Sequence, residues 1–433
     1  MTAFAPESCD DDGGRVRNAV RRDRHPADCE REGCRDGRSS CRRQPQVLRW
    51  AAERAGLDSE TAERTWPKWR AWLEGEAKPT VKQARDLAKR THVPFGFLLL
   101  DEPPVLELPV TDFRAGHGAP EHVSPELLDT VYHCQRVQDW YIDYAEREGA
   151  EPLDFPGSAR DWGVEETAAT IRHALDFTVE RRAGFGGGSG TARALTHLVD
   201  RFEELGGLVM RNSVVGNDTH RKLSVDEFRG LSLFDETAPL IFDETAPLIF
   251  VNTADTKAGQ VFSFLHECAH IWRGESGVSA DSVPGARAGT GPERWCNSVA
   301  AQVLVPPEDL HRQPVRVESL VEDAQRLARC YCCSELLVLL AVKDAGMVDA
   351  TLVEDVFRRE SRRLAALAAQ AAQAKTQGGG NFHLTVPVRV GKTALAAILS
   401  DVLAGGTSYT ETMSLTNLKI GSLDAQLARR GAA

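Results

Sequence analysis

The amino-acid sequence predicts an α+β protein in which helical regions flank a domain with a small sheet. Three observations lead to this prediction. Apolar residues recur at helical spacing over residues 46–100 and again over 124–148. Three short apolar runs between residues 208 and 252 are typical of strands. An alanine-rich helical pattern at 352–375 and a last helical segment at about 391–430 end the chain.

The chain has 433 residues, a length that allows two or three domains. Changes in composition divide it into five predicted regions. They are a disordered or artefactual tail (1–45), a small helix-turn-helix-like domain (46–105), a helical connector (106–205), the domain with the sheet (206–345) and a helical C-terminal region (346–433). The tail is rich in charged residues and glycine and lacks apolar periodicity. The tail also contains one histidine and three cysteines, so a zinc site in the tail is an alternative interpretation. Their spacing is looser than that of a paired motif: His25, Cys29, Cys34 and Cys41.

Charge and cysteine usage exclude several classes of protein. A formal net charge of −11 argues against a protein that coats nucleic acid or anionic lipid along its whole length. No apolar run approaches the roughly 20 residues of a membrane helix, and the N-terminus lacks a secretory signal. The ten cysteines are irregularly spaced, which is not typical of a disulfide framework. These features predict a cytoplasmic protein with reduced thiols and no membrane contact.

The region 46–105 has the pattern of several short helices. Its first helix is expected to stop at Gly56, a second to be capped by Asp58 or Ser59, and a third to begin near Thr80. Residues 46–100 contain ten Lys/Arg and seven Asp/Glu, a balance of +3 that favours a modest contact with DNA phosphates. Pro67 lies where a recognition helix would run, which argues against independent DNA binding.

The strand-like runs are Leu208–Val215, Phe228–Phe234 and Leu248–Asn252, and a predicted helix at 192–205 precedes them. One irregularity lies between the second and third runs, because Phe234–Ile241 is repeated without change as Phe242–Ile249. A tandem copy of eight residues is too short for a solenoid unit, so one copy must loop out or lengthen the strand.

The clearest chemical signal is a His-Glu-x-x-His motif formed by His266, Glu267 and His270. Histidines four residues apart lie on the same face of a helix, so both imidazoles can reach one metal ion. Glu267 then lies where its carboxylate can act as the base toward water, while Cys268 points away from the shared histidine face. A purely structural helix is the alternative interpretation.

A third metal ligand is predicted 23 residues beyond His270, where Glu293 begins another helix. Two histidines, a glutamate and an open position are typical of catalytic Zn²⁺. Asn297 shares a helical face with Glu293 and is expected to hydrogen-bond a ligand histidine. Cys296 is the alternative, softer ligand at this position.

Taken in order along the chain, these motifs resemble the ImmA/IrrE family of zinc metallopeptidases, in the branch fused to an N-terminal Xre-type helix-turn-helix domain. The motifs that carry the resemblance are Trp72…Gly75-Glu76…Pro79-Thr80, Pro94…Glu102-Pro103-Pro104, Asp112-Phe113-Arg114, Phe228-Arg229-Gly230, Ala246–Asn252, His266–His270 and Glu293…Asn297…Ala300-Ala301…Pro306.

The resemblance implies a zincin-like metallopeptidase domain with Zn²⁺ held by His266, His270 and Glu293, and with Glu267 as the base. It also implies an endopeptidase that cleaves a partner transcriptional repressor or antitoxin in stress-response, mobile-element or toxin–antitoxin regulation. The strand ending at Asn252 would be the edge strand on which an extended substrate pairs. The alternative is a DNA-binding regulator or antitoxin-like protein whose zinc domain is a non-catalytic sensor or scaffold.

Overall fold

The computed structural model describes residues 45–114, 123–186, 189–234, 246–280, 291–374 and 382–431. The chain divides into two units, Met1–Pro103 and Pro104–Ala433. The predicted N-terminal tail with its cysteines and most of the tandem repeat lie outside the described residues.

The N-terminal unit is built from short helices. They are α1 (Pro45–Arg54), α2 (Ser59–Thr65), α3 (Trp69–Leu73), α4 (Val81–Thr91) and a 3₁₀ turn (Phe95–Leu99). The predicted starts at Asp58 and Thr80 are confirmed, because each side chain accepts a hydrogen bond from the first turn of its helix. Pro67 lies in the break between α2 and α3, and Trp66, Trp69 and Trp72 fill the core of this unit.

The larger unit contains fourteen α-helices and seven strands in the described part of the chain. The helices are α5 (Pro125–Arg147), α6 (Val164–Ala174), α7 (Val179–Ala183), α8 (Gly190–Glu204), α9 (Lys257–Arg273), α10 (Pro292–Leu304), α11 (Pro307–Leu310), α12 (Leu320–Tyr331), α13 (Glu335–Asp344), α14 (Ala350–Ala374), α15 (Phe382–Val390), α16 (Lys392–Ala404), α17 (Tyr409–Thr416) and α18 (Ile420–Gly431). The strands are β1 (Thr111–Asp112), β2 (Leu208–Asn212), β3 (Val214–Val215), β4 (Asp218–Lys222), β5 (Gly230–Leu233), β6 (Leu248–Asn252) and β7 (Gly277–Ser279).

A five-stranded mixed sheet in the order β1-β7-β5-β6-β2 lies at the centre of this unit. Strand β6 pairs in parallel with β2 and antiparallel with β5, and β5 pairs antiparallel with β7. Alternate residues of β6 enter two different cores: Ile249 and Val251 pack with α8, α9 and α10, whereas Leu248 and Phe250 pack with α5, α15 and α16. Because helices cover both faces, the sheet is buried on both sides. The predicted α+β class with a small sheet is confirmed.

The prediction that the strand ending at Asn252 is an edge strand is wrong. Strand β6 has a hydrogen-bonded neighbour on each side, and the edges of the sheet are β1 and β2. The physical reason is visible in its composition: the continuous apolar run Leu248–Val251 can be buried on both faces, which is typical of a central strand. Helix α15 packs along the β2 edge.

Two other predicted elements also differ in the structure. The run Leu208–Val215 divides at Ser213 into β2 and β3, and β3 forms a separate hairpin with β4. The last helical segment consists of α16, α17 and α18, because left-handed residues at Gly405 and Asn417 end the first two. The helices of the predicted connector and C-terminal region belong to the same unit as the sheet. Among the described residues, no helix is long and apolar enough to span a membrane.

Candidate metal centre

Helix α9 carries the His-Glu-x-x-His motif through the middle of the larger core. It begins with Thr256, whose side chain caps the first turn, and ends at Gly274 in the left-handed conformation with φ of 73°. Thirteen consecutive residues, Gln260–Trp272, are buried between the sheet and neighbouring helices. Helical spacing brings the His266 and His270 rings to 4.8 Å between centroids, and their Nε2 atoms are 3.1 Å apart.

Helix α10 brings Glu293 to these two histidines from 23 residues further along the chain. Pro292 occupies the first position of the helix, Glu293 lies in its first turn, and small residues such as Ala300 let α10 pack closely on α9. Glu293 Oε1 lies 2.9 Å from His270 Nε2, and Glu293 Oε2 lies 3.3 Å from His266 Nε2. The side chains of His266, His270 and Glu293, each able to bind a metal ion, therefore converge on one point inside the protein.

Further side chains orient the two imidazoles from behind. The Nδ1 atom of His266 lies 2.9 Å from Asn297 Oδ1, so an Nδ1–H group that donates there leaves the Nε2 lone pair facing Glu293. Glu275 Oε2 lies 3.5 Å from His270 Nδ1, and Glu275 Oε1 pairs with Arg273 at 2.7 Å. The sequence prediction did not include Glu275. Its only sequence signal is its place directly after the glycine that ends α9.

Glu267 lies on the side of α9 that faces strand β5. A Cβ atom at Gly230 would come within 2.5 Å of Glu267 Oε1, so glycine at that position makes the space for the carboxylate. Glu267 is fully buried, and neither of its oxygens accepts a well-formed hydrogen bond from any residue the structure describes. Burial raises the pKa of Glu267. A proton acceptor of this kind suits chemistry near neutral pH better than an ordinary surface carboxylate does.

The electrostatics of the cluster favour a cation. Burial would raise the pKa of Glu293, but the two imidazoles hold it well below its usual range. Burial would likewise lower the pKa of His266, yet the neighbouring Glu293 carboxylate raises it. Glu293 and His266 are thus buried beside neighbours that stabilise a positive charge at the point where these side chains meet.

The donor set fits zinc. The ligand atoms of His266, His270 and Glu293 all lie within 4.8 Å of one another, and all three residues are buried. A tetrahedral zinc ion with bonds of about 2.0–2.1 Å places its ligand atoms roughly 3.4 Å apart, close to the separations of 2.9–3.3 Å found here.

The two cysteines near the site differ in their surroundings. Cys268 is fully buried in the apolar core. Cys296 contacts the other side of His270, and it forms a second possible ligand group with His270 and Glu275. Because this second group shares His270 with the first, the two sets are alternatives for one ion.

Part of the chain matches a known protein family. Residues 207–342 match the IrrE N-terminal-like domain of the peptidase M78 family. The match spans the chain from just before β2 into α13 and includes every residue of the cluster. It supports the resemblance to the ImmA/IrrE family and implies a domain of the metallopeptidase type, whose members are typically zinc-dependent. A search of curated proteins found no match to the chain. The N-terminal helical unit lies outside the matched IrrE N-terminal-like domain.

Replacement of Asn297 by alanine is expected to weaken zinc binding by this IrrE N-terminal-like domain by about 10- to 100-fold. The amide oxygen is the group that holds the His266 ring by its Nδ1 atom, and the ring loses its fixed orientation without it. Competition with a chromogenic chelator measures the affinity. The matched control is Ser298→Ala, which removes an exposed hydroxyl bonded only to the α10 backbone. Equal affinities in the two variants would contradict the prediction.

Proposed function

We propose that this protein is a zinc-dependent endopeptidase that cleaves a partner transcriptional repressor or antitoxin. The observation that carries the proposal is the convergence of His266, His270 and Glu293 beside a buried, unbonded carboxylate, Glu267, inside a metallopeptidase-type domain. By this proposal the protein acts in the cytoplasm, in stress-response, mobile-element or toxin–antitoxin regulation. A regulator substrate is inferred from the resemblance to the ImmA/IrrE family and from the helix-turn-helix-like region at the N-terminus.

The residues of the site divide the chemistry between them. His266, His270 and Glu293 would hold the zinc ion, which would act as a Lewis acid toward the peptide carbonyl and toward water. Glu267 accepts a proton from the attacking water and then delivers it to the leaving amine nitrogen. Its burial favours this exchange, because burial raises the pKa of the carboxyl group and makes its carboxylate a stronger proton acceptor than an ordinary surface carboxylate. Asn297 keeps the His266 ring oriented, and the Glu275 carboxylate lies near Nδ1 of His270.

Metal content is the first test of this function. Elemental mass spectrometry of the wild-type protein, purified without chelators, is expected to give about one zinc ion per chain. His270→Ala removes a ligand and is expected to lose most of that zinc, whereas His197→Ala is expected to keep it, because His197 contacts the backbone carbonyl groups of Leu175 and Asp176 instead. A wild-type protein that contains no zinc would contradict the peptidase proposal.

A second candidate function is binding of DNA as a regulator or antitoxin-like protein. Helix α4 exposes several basic side chains, including Lys82, Arg85 and Lys89, and residues 46–100 carry the excess of positive charge. A salt-sensitive gel shift of the operator DNA controlled by the protein would support this function. Absence of a shift at low salt would leave the peptidase function alone.

A further inference from the structure

A short strand next to the metal centre comes from outside the matched domain. Residues 108–114, which we call the strap, run along β7 and form β1 in their middle. Thr111 pairs with Gly277 and Asp112 with Val278 in parallel register, and the Phe113 N–H group donates to the Val278 carbonyl oxygen at 3.1 Å. The strap therefore occupies the sheet edge that β7 would otherwise present to solvent.

The Phe113 side chain turns from this edge onto the metal centre. Its ring stacks on the His270 imidazole, with centroids 4.9 Å apart and the planes inclined by 16°. On its other side the ring lies against the backbone of Gly277, where an added Cβ atom would come within 2.1 Å of it. Glycine at residue 277 thus leaves the space through which the Phe113 side chain of the strap reaches His270.

One buried ion network anchors the strap. The Arg114 guanidinium, 3 % exposed, pairs with Asp112 at 2.7 Å and with Glu227 at 3.4 Å. Glu227 in turn accepts hydrogen bonds from the Ser124 backbone and hydroxyl groups at 2.8 and 2.6 Å. The strand itself is only two residues long with exposed side chains, so few backbone pairings hold β1 on β7.

A cleft with both polar and apolar lining residues continues from the strap. It has a volume of about 670 Å³, and Leu108, Val110 and Phe113 of the strap form part of its wall together with Leu233 and Phe234 at the end of β5. Glu275, which lies 3.5 Å from His270, borders the same cleft. The cleft and the metal centre are therefore neighbours, and Phe113 lies at their junction.

The metal centre itself is closed in this arrangement. His270 and Glu267 have no exposed surface, and His266 and Glu293 are 2 % and 4 % exposed. A peptide has to come into reach of Glu267 before it can be cleaved, and an extended chain gains affinity by pairing with a sheet edge. Strand β7 is the edge beside the histidines, and β1 already occupies it.

We propose that β7 is the docking edge for an extended peptide substrate that carries a large apolar or aromatic residue, and that the strap is an internal stand-in for this peptide. The inference rests on the proposed function and names its substrate class. In the resting protein Phe113 occupies the place of the substrate side chain over His270. Release of the strap frees both the backbone edge of β7 and the space above His270. The apparent affinity for substrate is therefore the intrinsic affinity multiplied by the fraction of molecules in which the strap is open.

The test uses the full chain with Glu267→Gln, so that no cleavage is needed, and a fluorescent peptide with the sequence of residues 106–114. Phe113→Ala is expected to bind this peptide at least about tenfold more tightly than the protein with the native strap. A second peptide with alanine in place of the phenylalanine is expected to bind the variant at least about threefold more weakly than the first. Fluorescence anisotropy measures both affinities.

Two further variants complete the experiment. Phe185→Ala is the matched control, because Phe185 is also half-buried and packs near a histidine, His197, outside the site. It should leave peptide affinity unchanged. Phe113→Leu keeps apolar bulk and should give intermediate binding, which tests the proposal even where the alanine variant folds poorly. Equal peptide affinity of the protein with the native strap and of both Phe113 variants would overturn the proposal that β7 is the docking edge. Zinc-free wild-type protein would overturn only the proposed peptidase function.

Discussion

Glu267→Gln is expected to reduce peptide cleavage by about 10²- to 10⁴-fold while leaving zinc at about one ion per chain. Glutamine has nearly the same shape as glutamate and fits the space over Gly230, but its amide cannot accept a proton from water. Glu267 is separate from the three residues whose ligand atoms converge, so its replacement leaves the donor set intact. The measurement combines the cleavage rate of the proposed partner repressor with elemental analysis of the same preparation.

Glu360→Gln is the matched control for this variant. Glu360 is also buried, at 5 % exposure, and loses the same charge, but it lies on α14 and pairs with Arg363 instead of facing the histidines. It should retain the wild-type cleavage rate. If Glu267→Gln cleaved at the wild-type rate too, Glu267 would not be the base and another group would have to hold the proton.

The largest expected effect on stability comes from Arg182→Met. The Arg182 guanidinium is 2 % exposed and donates to the carbonyl oxygens of Phe177, Val303 and Leu304, and its cation lies 4.1 Å from the Phe177 ring centroid. Burial lowers its pKa to about 10, so it remains charged at neutral pH. Methionine fills similar space but leaves buried carbonyl groups without a donor, at a cost of about 3–5 kcal/mol.

This loss is expected to lower the midpoint of thermal unfolding by roughly 4–7 °C. Circular dichroism measures it, with Arg181→Met as the matched control. Arg181 is the next residue, is 56 % exposed and forms a surface ion pair with Asp176, so its loss should change the midpoint by no more than about 2 °C. A small effect of Arg182→Met would mean that water takes over the carbonyl groups. If Arg182→Met lowers the midpoint strongly, we expect it to weaken zinc binding as well, because Val303 and Leu304 end the helix that carries Glu293.

The features that the sequence determined by itself are local ones. The placement of His266 and His270 on one face follows from four residues of helical rotation, whatever the rest of the chain does. The caps at Asp58 and Thr80 follow in the same way from hydrogen bonds that span three residues. Periodicity over a few turns was likewise enough to predict α5 and α8 near their observed bounds.

Only the tertiary structure decided which elements become neighbours. The apolar run of β6 suits a central strand, but only the fold decides that its neighbours are β5 and β2, the latter forty residues earlier in register. Glu275 and Phe113 carry no periodic signal, and they reach His270 because a helix end and a strand from a distant segment meet there. Residue spacing determines contacts within one or two turns of backbone. Contacts between distant segments depend on how all the apolar faces of the chain are buried together, and no short stretch of sequence contains that information.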